Sequence, residues 1–418
     1  MPWNWLIIGA SIIPVTVYIK TRYLIASLAI ASFLFVVGLV ATKEYTYPFS
    51  AFIVVCVLLL FLDGVRIRNP LALGLILLLG ISSTIALLVY EPHQVLAATL
   101  TFFAWPAFYY LSRSRKRRVA RWEIQTSLTC LALADLVIAI VLFVMGEDRQ
   151  AIINHHPIGG GLAVGWLPWL ALRKELRLRK RVLAMSVAGF GVSVLLSRIR
   201  GHMLLFYFPL AVATMCNFLQ LRGPRKWIGA IALVATLCGA GAWLAFSNSG
   251  MRVVENAVQF LRIGDSLGRR SIENEYVWRL VKYDPIRSII GYGPGPTVGE
   301  IMPVSALGIQ AAEYSVSKIE GGFAFHNVWA SILYSFGWIG LFLYGAFAAQ
   351  LIFDVLRARK LSTGSRVFLI SYVGAFLAVL WWRKTLFNGV LEMISLGLTL
   401  SAIGSERVAG RRQGASSF

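Results

Sequence analysis

The sequence predicts an all-α, polytopic integral membrane protein, and three observations support this fold class. Of its 418 residues, 58% are hydrophobic and 14% are charged, which is more apolar than a globular core requires. Apolar runs long enough to cross a bilayer of about 30 Å recur along the whole chain. Basic residues concentrate in every second connection between these runs. We therefore expect one membrane domain over residues 1–418, with roughly 12–13 transmembrane helices and one long, structured extracytoplasmic loop at 248–325.

The apolar runs predict the individual helices. The first run, Trp3–Ile19, has no basic segment before it and no small-residue cleavage site after it, so we interpret it as a retained span and not as a signal peptide. The run at 159–172 is the shortest of the set. The full set of expected spans lies near 3–19, 23–41, 47–62, 71–90, 94–111, 127–146, 159–172, 182–197, 201–219, 227–247, 327–353, 366–382 and 386–404.

Charge gives these spans an orientation, because basic connections remain in the cytoplasm. The basic connections hold 26 of the 40 lysines and arginines and 5 of the 19 acidic residues, whereas the outer side holds 14 and 12. The inner side therefore carries the whole net charge of +21, which does not imply a nucleic-acid partner. Part of this charge is suited to contact membrane lipids. The cytoplasmic segments are IKTR, DGVRIRN, SRSRKRRVARWE, RKELRLRKR, LRGPRK, RARKLSTGSR and the tail SERVAGRRQG.

The long loop at 248–325 lies on the outer side in this topology and has the pattern of a folded segment. Apolar residues recur at helical spacing through MRVVENAVQFLRIGDSLGRR and SIENEYVWRLVKYDP, where a proline ends the pattern. GYGPGP follows, and its glycines Gly291, Gly293 and Gly295 predict a turn. No strand precedes it, so it is not a dinucleotide-binding fingerprint. A structured loop of this length is typically functional or a binding lid.

Arginines on the outer side are informative because basic residues of membrane proteins concentrate on the cytoplasmic side. Arg198 and Arg200 end one span just before the next begins, where guanidinium groups could clamp a diphosphate or extend to lipid phosphates. Residues two apart on a helix point to different sides, so one of the pair could bind substrate while the other anchors the helix. Arg269, Arg270 and Arg279 lie among acidic residues of the outer loop, which leaves diphosphate binding and surface ion pairs both open.

His326 and Asn327 lie where the outer loop gives way to an apolar helix. An outward helix N-terminus favours anions through its free N–H groups and dipole. Asn327 is suited to cap this helix. Histidine exchanges a proton near neutral pH, so His326 is a candidate general base, although an ordinary interfacial histidine would fit the same position.

The sequence offers little for a metal, and we expect no cofactor. The four cysteines, Cys56, Cys130, Cys216 and Cys238, all fall inside apolar runs and predict no disulfide framework or zinc site. His155 and His156 are adjacent but have no third ligand at a suitable spacing. On the outer side, Glu147 and Asp148 give weak support to a metal-dependent alternative.

The outer motifs together resemble the O-antigen ligase and O-antigen polymerase superfamily of bacterial envelope glycosyltransferases. The resemblance covers roughly 190–345: a span ending in SR…G, a loop with R…W…PI…GYGPG, and then HN followed by G.IGL, of which HNVWASILYSFGWIGL is the most specific part. Elsewhere it rests on hydropathy alone. The family pattern has the arginine directly before glycine, whereas SRIRG offers both Arg198 and Arg200.

The resemblance implies a function and a location. It implies an enzyme of the bacterial inner membrane that transfers a glycan from an undecaprenyl-diphosphate-linked donor to an acceptor hydroxyl at the periplasmic face, without metal and with inversion. The acceptor would be another glycan, in an O-antigen or exopolysaccharide polymerase, or lipid A-core, in a lipopolysaccharide ligase. Arg198 or Arg200 and a loop arginine would hold the diphosphate, and His326 would act as base or orient the acceptor.

A transporter of lipid-linked glycans without catalysis is the alternative from a different class. A transporter predicts charged residues within spans along a central path. Only Asp135 and Glu392 lie within the expected spans, whereas the outer polar residues cluster at one face. The sequence therefore favours an enzyme.

Overall fold

Every regular element of the protein that the structure describes is helical, as the sequence predicts. A computed structural model describes residues 9–42, 46–64, 69–114, 120–144, 161–176, 178–197, 200–219, 264–295, 301–303, 306, 327–380 and 389–414. The helices are α1 (Ile12–Thr21), α2 (Leu24–Thr42), α3 (Thr46–Leu62), α4 (Pro70–Leu87), α5 (Pro92–Arg113), α6 (Arg121–Val144), α7 (Gly161–Ala171), α8 (Lys180–Ser197), α9 (Arg200–Leu219), α10 (Gly264–Tyr283), α11 (Pro285–Ile290), α12 (Val328–Arg357), α13 (Thr363–Leu380) and α14 (Gly389–Gly414).

The helices follow the predicted spans closely. The span at 3–19 is described only from its middle onward, where α1 begins, and the span at 227–247 lies outside the described residues. By length and composition, 4 helices in the described ranges could each cross a membrane: Pro70–Leu87, Arg121–Val141, Val328–Arg357 and Thr363–Leu380. Further apolar helices are shorter. These features support an α-helical membrane protein.

Two helices, α7 and α14, form the centre of the bundle. All residues from 162 to 172 and from 392 to 403 are buried. The two helices pack closely at Gly165, where an added Cβ would lie 2.4 Å from the Leu391 side chain. Helices α6, α8, α9, α13 and α14 all pack on α7. This helix has 11 residues, which at about 1.5 Å per residue is roughly half of the hydrocarbon thickness. The predicted span at 159–172 is therefore a helix, but one too short to cross a membrane alone.

Contacts between distant segments join helix ends that the charge pattern places on the same side. At the predicted cytoplasmic ends, the Glu123 carboxylate accepts hydrogen bonds from the N–H groups of Ile25 (2.5 Å) and Ala26 (3.0 Å). There too, the Tyr18 hydroxyl donates to Asp63 at 2.8 Å. These contacts join segments that the charge pattern groups together.

Helix α12 is broken at Gly337, whose backbone is not helical (φ 60°, ψ −159°). The single span expected at 327–353 is therefore two segments. The second segment, Trp338–Arg357, is about 30 Å long at 1.5 Å per residue and matches the hydrocarbon thickness. At the break, Trp338 and Trp278 of α10 are 43% and 49% exposed, with ring centroids 5.8 Å apart. Exposed tryptophans at one level are typical of a membrane–water interface. The first segment, Val328–Phe336, thus extends beyond that level.

Candidate functional site

The candidate site is the outer cap, which we define as α10, α11, the turn Gly291–Gly295 and the first α12 segment, Val328–Phe336. An apolar cluster holds α10 against this segment, and the Tyr276 hydroxyl also donates to the Met302 carbonyl at 2.8 Å. Long apolar residues therefore fix one face of α10 on α12. The cluster consists of Tyr276, Val277 and Leu280 on α10 with Ala330, Leu333 and Tyr334 on α12.

Helix α11 and the turn cover the break in α12. Pro285 begins α11, and the Asp284 carboxylate caps it by accepting from the Arg287 N–H at 3.0 Å. After α11, the N–H groups of Tyr292 and Gly293 donate to the carbonyls of Tyr334 and Ser335, both at 2.9 Å. In an unbroken helix these carbonyls would accept from N–H groups four residues later. The turn therefore satisfies backbone groups that the break at Gly337 releases.

The tight fit of the turn requires glycine at its main contacts. Gly291 has φ 80°, and a Cβ there would lie 2.3 Å from the Ser335 carbonyl oxygen. A Cβ at Gly337 would lie 2.3 Å from the carbonyl oxygen of Ile289. Gly293 and Gly295, also with positive φ, extend the turn over the outer ends of α4 and α5. The turn thus joins three membrane helices at one place.

Asn327 links the start of α12 to α10. Its side-chain oxygen accepts from the N–H groups of Trp329 (2.9 Å) and Ala330 (3.4 Å), which makes it the N-cap residue that the sequence suggested. Its side-chain nitrogen donates to the Asn274 side-chain oxygen at 3.1 Å. Asn327 is 3% exposed and Glu273, beside Asn274, is 2% exposed. Sequence analysis did not identify Asn274, which lies among charged residues in IENEYV and gives no local signal of its partner.

The loop arginines differ in their placement. Arg269 and Arg270 belong to α10 and come one helical turn before Glu273 and Asn274. Arg279 forms an ion pair with Glu275 at 2.5 Å, and both side chains are more than two-fifths exposed. For Arg279, the surface ion pair is therefore the geometry observed. Its role in binding a diphosphate stays a prediction.

Tyr292 is the titratable side chain of the turn. Burial raises the pKa of Tyr292 to about 12, and the nearby Asp284 carboxylate and Tyr276 phenol act in the same direction against the smaller opposing effect of Arg287. Its ring stacks on Tyr334 with centroids 5.5 Å apart. Because its pKa is high, the phenol stays protonated near neutral pH and does not serve as a base there.

Several predicted residues lie outside the described residues: Arg198, His326, Glu147, Asp148, His155 and His156. Arg200 is the first residue of α9, a helix that packs mainly on α13 and also on α7 and α8. Among the described residues, α9 makes no extensive contact with the outer cap. His202, also near the start of α9, is fully buried. Across the described parts of the chain, no group of three or more His, Cys, Asp or Glu side chains could hold a metal ion.

Buried polar residues also occur within the membrane helices. Asp135 and Glu392, the carboxylates expected within spans, are 0% and 1% exposed. Ser395 and Thr399 follow Glu392 on one face of α14 at helical spacing and are equally buried. Residue type alone marked the two carboxylates, whereas the hydroxyl residues gave no separate signal in an apolar run.

Comparison with known proteins adds no relative, since no protein-family model and no curated protein matches the chain. The residues of the outer cap and the motif resemblance are therefore the grounds for inferring a function.

Proposed function

We propose that this protein is a membrane glycosyltransferase that consumes an undecaprenyl-diphosphate-linked glycan at the periplasmic face of the bacterial inner membrane. The observation that carries the proposal is the hydrogen bond between Asn274 and Asn327. It ties α10, which carries Arg269 and Arg270, to the start of α12, where His326 is the chain neighbour of Asn327. Cationic residues on α10 and a candidate proton acceptor next to α12 in the chain are thus associated with two elements joined at one point.

The chemistry follows from the donor. A bond forms between the acceptor oxygen and the anomeric carbon, with inversion, while the bond from that carbon to the diphosphate oxygen breaks. His326 takes the acceptor proton, and arginines stabilise the charge that develops on the leaving diphosphate. Guanidinium groups suit this role because they remain charged and bind phosphate oxygens in pairs. The reaction does not require a metal ion.

The acceptor defines the branch of the superfamily. A second lipid-linked glycan as acceptor makes the enzyme an O-antigen or exopolysaccharide polymerase, and lipid A-core makes it a ligase. Both acceptors present a sugar hydroxyl at the periplasmic face, so the outer cap serves either one.

A lipid-linked glycan transporter without catalysis is the second candidate. The observation that favours it is the buried polar face of α14, formed by Glu392, Ser395 and Thr399. Charged residues inside a membrane bundle often line transport paths. The two candidates differ in one measurable property, because only the enzyme forms a new glycosidic bond with purified components.

The first test compares surface polysaccharide in a deletion strain complemented with the wild-type gene or with His326→Ala. We expect loss of long chains or of all chains on lipid A in the deletion strain. Wild type should restore them, whereas His326→Ala should lower transfer by about 10²-fold or more at normal expression. Full complementation by His326→Ala would exclude the base assignment.

Purified protein separates the enzyme from the transporter. In EDTA, wild type should transfer glycan from a polyprenyl-diphosphate donor to a second lipid-linked glycan or to lipid A-core. Arg198→Lys and Arg200→Lys should show which arginine binds the diphosphate, because lysine keeps the charge but loses the bidentate fork. Activity that vanishes in EDTA and returns with a divalent ion would instead favour the alternative based on Glu147 and Asp148. No transfer under any condition, together with glycan movement across vesicles, would favour the transporter.

A further inference from the structure

We propose that a cleft at the predicted cytoplasmic end of the bundle binds the phosphate group of an anionic membrane lipid. The cleft lies where α7, α8, α9 and α13 meet and has a volume of about 90 Å³. It is on the opposite side of the protein from the outer cap and is independent of the proposed transfer reaction.

The mouth of the cleft is basic and polar. Arg173 and Lys174, from the connection after α7, both line it and are exposed. In the ranges described, neither side chain forms an ion pair. The backbone at Gly364, in the first turn of α13, also lines the mouth and supplies an N–H group without an intrahelical partner. Two cations and a helix N-terminus are the usual means of binding a phosphate.

Glu175 follows these two cations directly in the chain. Its carboxylate accepts from the Ser362 N–H at 2.8 Å and from the Ser365 hydroxyl at 3.0 Å, so it holds the start of α13 in place. Together with Arg173 and Lys174 it leaves a net positive charge at the mouth. A positive charge of this kind favours an anionic head group over a neutral one.

The inner wall of the cleft identifies a lipid in preference to free phosphate. Below the charged mouth, the lining is apolar and includes Leu210 and Phe368. A free phosphate gains nothing from such a wall, whereas the glycerol and first acyl carbons of a lipid do. Basic pockets between transmembrane helices on the cytoplasmic side are known to bind anionic head groups.

Native mass spectrometry of the purified full-length protein tests the proposal, with phosphatidylglycerol as the probe. Arg173→Ala/Lys174→Ala should weaken binding by about tenfold or more, the scale of two charged contacts. Lys180→Ala/Arg181→Ala is the matched control, since both residues are exposed in the next part of the same connection and do not line the cleft. The control should stay within about twofold of wild type.

A blocking variant, a zwitterionic lipid and inorganic phosphate provide three further comparisons. Thr214→Trp fills the mouth while leaving both cations, so it should also weaken phosphatidylglycerol binding if the cleft is the site. Phosphatidylethanolamine should bind less tightly than phosphatidylglycerol. Equal losses in the cleft and control pairs, or unchanged binding in the cleft pair, would overturn the proposal. Inorganic phosphate that stabilises the protein at matched ionic strength and displaces the lipid would identify a free-phosphate site instead.

Discussion

Asn327 has two roles, one through each end of its amide. Its oxygen caps α12, while its nitrogen joins α12 to Asn274 of α10. An aspartate could perform only the first role, because a carboxylate accepts but does not donate, and an alanine could perform neither. The amide therefore connects the stability of one helix with the position of its neighbour, next to His326 in the chain.

Replacing Asn327 with alanine should destabilise the protein by about 1–2 kcal/mol. The substitution removes an N-cap at a buried position and leaves the half-buried Asn274 amide without this partner. The measurement is thermal unfolding of the purified protein in detergent, followed by a transfer assay. Asn327→Asp is the matched control, because it keeps the capping oxygen and replaces the donor nitrogen with a charged acceptor oxygen. If Asn327→Ala unfolds at the wild-type temperature, the cap contributes nothing measurable.

Sequence reasoning reached Asn327 but not Asn274, for a physical reason. An N-cap is a local signal, since an asparagine before an apolar helix can be recognised from its neighbours alone. The partner of that cap lies 53 residues earlier in the chain. Nothing local to Asn274 distinguishes it from any other polar residue on a solvated helix. For Arg279, the sequence left a surface ion pair open as one interpretation, and the structure shows this pair. It could be anticipated because its partner Glu275 lies four residues earlier on the same helix.

At the scale of elements, the broken α12 and the Gly291–Gly295 turn depend on each other. The break releases the Tyr334 and Ser335 carbonyls, and the turn supplies N–H groups for them. Close backbone contact at Gly291 and Gly337 leaves no room for side chains on either partner. This explains how an outer loop can be held firmly on a membrane helix.

Gly291→Ala should separate the turn from α12. A Cβ at this position would contact the Ser335 backbone, and φ is positive, so we expect a loss of about 2 kcal/mol or more. Gly345→Ala is the matched control on the same helix, because a Cβ there meets nothing within 4 Å. The control should be neutral or stabilising by about 0.5–1 kcal/mol. Thermal unfolding and limited proteolysis of the loop provide the measurements, and equal behaviour of the two variants would contradict the tight docking.

Hydropathy predicted where helices occur but not how they fit together. Within the described residues, the expected spans lie close to the helix bounds, because apolar composition over a long window reflects the surroundings of the whole segment. The break at Gly337 has a different cause, a backbone contact with Ile289, and isolated glycines occur in many unbroken membrane helices. Hydropathy also does not report contacts between helices, so the shortest predicted span, 159–172, gave no indication that α7 packs against five other helices.

At the scale of the whole molecule, charge and packing give the same division of the helix ends. The basic connections were assigned to one side from the sequence alone, and cross-chain contacts such as Tyr18 with Asp63 join ends within that side. On the other side, Gly295 lies against Val95 at the outer end of α5. Packing shows which of these ends lie together, whereas the charge asymmetry predicts which group faces the cytoplasm.

Cysteine labelling tests that orientation for the whole molecule. In a variant without native cysteines, Ile286→Cys should react with a membrane-impermeant maleimide on spheroplasts, because Ile286 is 74% exposed in the outer cap. Lys360→Cys, exposed between α12 and α13, should react only in inverted vesicles. Leu77→Cys is the matched control: Leu77 is 63% exposed, but on the middle of apolar α4, so lipid should shield it from both sides. The reverse pattern at Ile286 and Lys360 would place the outer cap in the cytoplasm and exclude transfer from a periplasmic donor. Labelling of Leu77→Cys would contradict the burial of α4 in a membrane.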